Sequence, residues 1–276
     1  MRVSEFYTID NPSLFKEQLL YWAQQFREVA FLDSNNYPQA YSSYDCLFAV
    51  DAFTLLQTDY DNAFEDLKQY QQTTKDWLFG YLSYDLKNDS ERLQSNNFDG
   101  LDFPDLFFFQ PKKIFLLKGN QLETRYLHLC DDELQEDYHD ITTIVPQQST
   151  ASDSVMVQAR IDQKKYLEQV QKMQEYIHKG DIYEANFCME FYAENATIEP
   201  LEKFQKLNAI SQPPFAVFLK NNQQYLLSAT PERYLRKEGE DLISQPIKGT
   251  AKRYEDPVAD EKAKDDLASN PKERAE

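Results

Sequence analysis

The chain has 276 residues, with 29 Lys and Arg against 47 Asp and Glu. Its formal net charge of −18 at pH 7 repels phosphate backbones and anionic lipid surfaces, so no nucleic-acid partner and no membrane partner is expected. A hydrophobic content of 41%, with 19 Phe and 18 Tyr, excludes a disordered chain, and six glycines with neither G-x-x-x-x-G-K-[ST] nor G-x-G-x-x-G exclude P-loop and dinucleotide-binding readings.

Cys46, Cys130 and Cys188 and His128, His139 and His178 show no C-x-x-C or H-x-x-x-H spacing, which argues against structural zinc and a disulfide framework. Met1-Arg2-Val3-Ser4-Glu5 opens a mixed polar sequence without an apolar signal run, and no stretch approaches the roughly 20 apolar residues of a spanning helix. The expectation is a soluble, cytoplasmic protein.

Taken in chain order, Ser13 to Phe26 reads as a helix whose apolar positions are Leu14, Leu19, Trp22 and Phe26. Glu28 to Ser34 and Cys46 to Asp51 read as strands. The acidic run Asp131 to Asp140 and the small polar residues from Pro146 to Ser154 mark a linker or subdomain boundary, giving expected domains 1–146 and 155–276. Asp162 caps a helix with apolar Tyr166, Val170, Met173 and Ile177, and Gly180 ends it.

From Tyr183 to Ala193 the period is two, which predicts a strand with Glu184 and Asn186 on its polar face. A helix from Leu201 to Ile210 ends before Pro213-Pro214. Two hairpins follow: Phe215 to Leu219 with Gln224 to Ser228 around Asn221-Asn222, and Arg233 to Lys237 with Leu242 to Ile247 around Glu238 to Asp241. Pro257 suits the first turn of a last helix, Val258 to Ser269, which Pro271 interrupts.

Four segments carry a resemblance: Trp77-Leu78-Phe79-Gly80-Tyr81-Leu82-Ser83-Tyr84-Asp85-Leu86, Gly180-Asp181-Ile182-Tyr183-Glu184-Ala185-Asn186, Ser228-Ala229-Thr230-Pro231-Glu232-Arg233-Tyr234-Leu235 and Gln245-Pro246-Ile247-Lys248-Gly249-Thr250. In this order and spacing the chain resembles the chorismate-utilising enzymes, the large subunits of anthranilate synthase and aminodeoxychorismate synthase, from about Phe31 to its last residue. The resemblance implies an α+β fold of the anthranilate synthase component I type, a layered α/β/β/α sandwich. Asn270 to Glu276 is similar to the start of a family helix with a long stretch beyond it, so the sandwich is expected to be incomplete at the C-terminus and the chain alone inactive.

The resemblance also implies roles. The lysine of Pro-Ile-Lys-Gly-Thr is implicated in the p-aminobenzoate branch as a nucleophile toward C2 of chorismate, where anthranilate synthases carry Ala, so Lys248 points to amination of chorismate to 4-amino-4-deoxychorismate. An attacking amine must be neutral, which calls for burial or cations nearby such as Mg²⁺, Lys252 or Arg253. Glu232 is implied as the general acid that protonates the departing C4 hydroxyl, its pKa raised by burial.

Glu184 matches a position where the water-adding branch resembles this chain but carries a water-activating lysine, so an acid here counts against hydration at C2; it orients ammonia or is an edge-facing strand carboxylate. Asn186, Gly249 and Thr250 are implied substrate neighbours, and Glu276 matches a Mg²⁺-ligand carboxylate. Tyr84 and Asp85 are read as packing and hydrogen-bonding residues. Ser34 matches a segment that binds tryptophan in some relatives, beside Asp33 where feedback-sensitive enzymes carry Glu. Expected partners are chorismate, ammonia and a glutamine amidotransferase subunit, since no cysteine here stands in a glutaminase setting. The alternatives are an anthranilate synthase large subunit and a non-catalytic, truncated remnant that binds a partner or an aromatic amino acid.

Overall fold

The computed structural model describes residues 1–91, 93–147, 155–247 and 249–275. In chain order the elements are β1 (Arg2–Thr8), α1 (Pro12–Trp22), β2 (Glu28–Asp33), β3 (Cys46–Thr58), α2 (Ala63–Thr74), β4 (Phe79–Leu82), α3 (Lys87–Glu91), β5 (Leu106–Lys118), β6 (Gln121–Leu127) and α4 (Leu134–Thr143). They continue with β7 (Gln158–Ala159), α5 (Gln163–Lys179), β8 (Phe191–Tyr192), α6 (Pro200–Ser211), β9 (Phe215–Asn221), β10 (Gln224–Thr230), β11 (Arg233–Glu238), β12 (Asp241–Gln245), α7 (Pro257–Ser269) and α8 (Pro271–Ala275). Among the described residues no helix is long and apolar enough to cross a membrane.

Met1–Pro146 and Phe204–Glu276 make one compact unit, and Gln147–Lys203 a second. The first is built on an eight-stranded antiparallel sheet of order β1-β6-β5-β3-β2-β9-β10, with β4 also on β5. Strands from both sides of the expected 146/155 division therefore share one sheet, because β9 pairs with β2 along its length. The linker expected at 146–154 lies mostly outside the described residues.

Register explains the core. Phe218, Phe31, Phe48 and Phe115 stand directly opposite one another on β9, β2, β3 and β5. The Phe31–Phe48 and Phe48–Phe115 rings meet edge to face at 5.9 and 5.8 Å. Such cross-strand aromatic pairs add to simple burial. Helix α1 covers this face through Phe15, Leu19 and Trp22, and α6 through Phe204, which meets Phe31 and Phe218 at 5.8 and 5.5 Å. The expected inward residue Leu14 is instead 41% exposed, because the buried stripe runs through Phe15, four residues before Leu19. The opposite face buries Ala30, Ala49, Ile114 and Leu219 beneath partly exposed Tyr44, Trp77 and Leu226.

A lysine is buried beside the aromatic face of this core. Lys113 on β5 is 3% exposed and lies 5.5–5.6 Å from the ring centres of Trp22, Phe26 and Tyr126. Burial pulls its ammonium down, and hydrogen bonds from it to Asp137 and Glu133 outweigh that and hold it above the ordinary lysine range.

In the second unit, α5 forms as its periodicity predicts. Asp162 accepts the Lys165 amide at 2.7 Å, and Gly180 takes a φ of 81° at the C-terminal end. The strand expected over Tyr183 to Ala193 does not form. Only Phe191–Tyr192 pairs, with Gln158–Ala159, because alternation alone makes no strand without a partner ladder to take up its amides and carbonyls.

Candidate functional site

The Thr230-Pro231-Glu232 turn links β10 to β11, and β12 runs directly into the Pro246-Ile247 end of the last motif. The β11–β12 hairpin turns through Gly239 at φ 61° and sets Arg233 opposite Gln245. The hairpin therefore brings together two motifs that lie about ten residues apart in sequence. Glu232 Oε1 accepts the Ile247 amide at 3.3 Å, and the Glu232 amide donates to Thr230 Oγ1 at 3.2 Å. The Arg233 guanidinium donates to Gln245 Oε1 at 3.0 Å.

Glu232 is exposed, not buried as its implied role led one to expect. Its carboxylate accepts a backbone amide, an arrangement open to a ligand from the solvent side. Lys248 lies outside the described residues, as does Glu276. Gly249 is half-buried and Thr250 exposed. A Cβ on Gly249 would sit 2.5 Å from Glu273 Oε2, so α8 brings a carboxylate up to this backbone. Sequence reasoning missed Glu273; its place in Lys272-Glu273-Arg274 beside the Glu276 match was the available signal.

Of the cations expected near the lysine, Arg253 is turned to Asp260 at 2.9 Å, and Lys252 Nζ lies 5.3 Å from the Tyr254 ring centre. Glu184 and Asn186 belong to the second unit, both exposed and outside any regular element, so the strand face that was to align them is absent. Among the described residues no group of three His, Cys, Asp or Glu side chains could hold a metal ion.

The Ser34 region is more enclosed. Ser34 is buried and lines a groove of about 520 Å³ with Leu32, Tyr44, Phe215, Arg233 and Arg236. Asp33 Oδ1 accepts Lys16 Nζ at 2.7 Å and the Asn35 amide at 3.1 Å, so its carboxylate serves the fold. A neighbouring groove of about 340 Å³ is lined by Tyr37, Phe215, Pro231, Arg233, Gln245 and Ile247.

The Trp77–Leu86 motif has a local role. A Cβ on Gly80 would collide with the Phe107 carbonyl oxygen, so glycine is what lets β4 lie against β5 at that point. Tyr84 is 84% exposed rather than packed. Asp85 is held below the ordinary carboxylate range by hydrogen bonds from Lys87 and Ser95.

Residues 27–276 match the family model described as chorismate binding enzyme. Over 119 residues the chain is 36% identical to aminodeoxychorismate synthase component 1 of Escherichia coli (strain K12), covering 43% of this chain and 26% of that protein. Over 210 residues it is 27% identical to anthranilate synthase component 1 of Thermus thermophilus, covering 72% of this chain and 45% of that one. The matches thus span less than half the length of these curated relatives. In structure it is similar to anthranilate synthase component I from Streptococcus pneumoniae, with a TM-score of 0.67 at 15% identity over 87% of this chain and 61% of that one. The fold is therefore of the anthranilate synthase component I type, and with a family model matched over nearly its whole length the chain belongs to the chorismate binding enzymes.

Proposed function

We propose that this chain takes part in the amination of chorismate to 4-amino-4-deoxychorismate, with ammonia delivered by a separate glutamine amidotransferase subunit. The observation that carries the reading is the Glu232 carboxylate on the Ile247 amide, which puts an acid beside the residue that precedes Lys248. Similarity to aminodeoxychorismate synthase component 1 supports it.

In this reading Glu232 donates a proton to the C4 hydroxyl as the C–O bond breaks, and water leaves. The neutral amine of Lys248 adds at C2, and the ring double bonds shift. Ammonia then attacks C4, the shift reverses and the lysine is expelled, so chorismate and ammonia become aminated product and water. The carboxylate left on Glu232 takes the proton that the incoming ammonia sheds. Gly249 and Thr250 offer backbone and hydroxyl to the substrate. Magnesium belongs to the proposal as the ion that would neutralise the two carboxylates of chorismate, but the described residues form no cage for it and no step here runs through it. Tryptophan in the Ser34 groove is a separate proposal, tested by direct binding.

The test uses protein expressed from the complete gene, incubated with chorismate and Mg²⁺ without ammonia. Intact-mass and peptide analysis should find an adduct of chorismate less one water on Lys248, absent from Lys248→Ala, and added ammonium should release 4-amino-4-deoxychorismate. An unmodified Lys248 in protein that still makes the product would overturn the lysine's role. Nitrogen at C2 with release of pyruvate would replace this reading with anthranilate synthesis.

A further inference from the structure

The β11–β12 ladder contains one irregularity. Arg233 pairs with Gln245 and Arg236 with Ile243, so two residues of β11, Tyr234 and Leu235, stand against one of β12, Ser244. In a regular strand, side chains three apart point to opposite faces. The extra residue reverses that, and both guanidiniums reach one acceptor: Arg233 donates to the Tyr41 carbonyl at 2.7 Å and Arg236 at 2.9 Å. Bulges are used in this way to re-aim a side chain.

Of the two, Arg233 makes the more varied set of contacts. Beyond Tyr41 it donates to Gln39 Oε1 at 3.0 Å and to Gln245 Oε1 at 3.0 Å, and its guanidinium lies 5.0 Å from the centre of the Phe215 ring. It thus ties the loop 39–41, the start of β9 and the end of β12 together, one residue from Glu232. It also forms part of the wall of both grooves. The arrangement has a cost, since burial and the neighbouring Arg236 both pull its guanidinium below the ordinary arginine range. Among the described residues the two-stranded β11–β12 sheet has no ladder to the eight-stranded sheet, and an isolated hairpin is marginal in water. Something other than backbone pairing must fix where its two motif ends lie.

We propose that Arg233 is a positioning residue: through Gln245 and the loop 39–41 it holds the Glu232 turn and the segment entering Lys248 in one arrangement. The functional part of this inference rests on the amination reading above; the clamp itself does not.

The experiment compares Arg233→Met, Arg233→Lys and Gln245→Met in protein from the complete gene, by hydrogen exchange and chorismate kinetics. Methionine keeps an apolar stem against Phe215 and removes the donors, and lysine keeps one cation without the planar fork. Gln245→Met leaves Arg233 intact and cuts only its link to β12, so it serves if an Arg233 variant folds poorly. Exchange at residues 244–247 should rise roughly 10-fold in Arg233→Met and Gln245→Met, with β3 and β5 unchanged. With Arg233→Met kcat should fall on the order of 10²-fold and KM should stay within about twofold, the signature of a misplaced group, with partial recovery in Arg233→Lys. Unchanged exchange at 244–247, or exchange raised equally in β3 and β5, would overturn the clamp. Raised local exchange with normal kcat would overturn the positioning role. If wild-type protein forms no aminated product, the reaction reading fails, and exchange still decides the clamp.

Discussion

The sheet of the first unit and the segment 155–203 contain equally regular sequence patterns, yet they use them differently. The sheet buries Phe31, Phe48, Phe115 and Phe218 to 1% exposure or less. Helix α5, with its N-cap, αL terminus and apolar stripe, contains no buried residue, and its clearest packing contact is Tyr166 against Phe187 at 5.3 Å. A helix satisfies its own backbone and so appears wherever its local signals are good. A strand cannot, and the stretch from Tyr183 to Glu190 stays irregular.

That contrast predicts where mutations matter. Phe48→Ala removes an inner ring of the cross-strand ladder, and should cost about 4 kcal/mol, since a site packed on both sides cannot collapse around the void. Urea unfolding followed through the sheet should show it, and a loss below about 1 kcal/mol would mean that the ladder repacks. Lys113→Met comes next. It leaves the half-buried Asp137 with only the Tyr126 hydroxyl, 3.0 Å away, as a described donor, and breaking a largely buried pair from one side should cost about 3 kcal/mol. The double variant Lys113→Met, Asp137→Leu should recover part of that; a double variant as unstable as the single one would place the loss in packing around the lysine stem.

The same contrast explains how much was legible in the sequence. Asp162 and Gly180 mark the α5 ends through contacts within a few residues, so they could be read directly. Phe15 could not be preferred to Leu14 from periodicity alone, because which face of α1 turns inward depends on the sheet it meets. The pairing of β9 with β2, which joins residues on both sides of the expected linker, is a long-range contact with no local mark. At the site, Glu232 and Lys248 were visible only through the motifs, whereas the aim of Arg233 depends on a bulge and Glu273 on where α8 docks. The bulge has no signature in spacing, and Glu273 is marked only by its place beside Glu276.

A smaller effect should appear in the second unit. Asp162→Ala removes the side-chain cap of α5 and should cost about 1 kcal/mol, confined to that helix. Hydrogen exchange should quicken in the first turn of α5 while β3 and β5 keep their protection. Equal loss of protection in the sheet would show that the two regions unfold together and would remove the contrast between them.

The smallest effect separates two ion pairs, one from each region. Arg2 meets Asp76 at 2.8 Å with side chains 9% and 17% exposed, whereas Arg160 meets Glu190 at 2.7 Å with side chains 28% and 43% exposed. Burial pushes the Asp76 carboxyl up, but hydrogen bonds from Arg2, Gln110 and the Trp77 amide together outweigh it and hold it below 3.8. A carboxyl whose folded pKa is depressed contributes stability that is fully present above its unfolded value, and that contribution disappears as pH falls through the folded value. The window therefore opens near 3.8 and extends downward. In urea titrations from pH 6 to pH 2, Asp76→Asn should lower the midpoint at pH 6, and the gap to wild type should close as Asp76 protonates below 3.8. Glu190→Gln should leave the acid limb of the sheet's unfolding unchanged, because a solvated pair contributes little and is screened by salt. An Asp76→Asn gap that stays constant across the whole range would show that its carboxylate is held by packing rather than by charge.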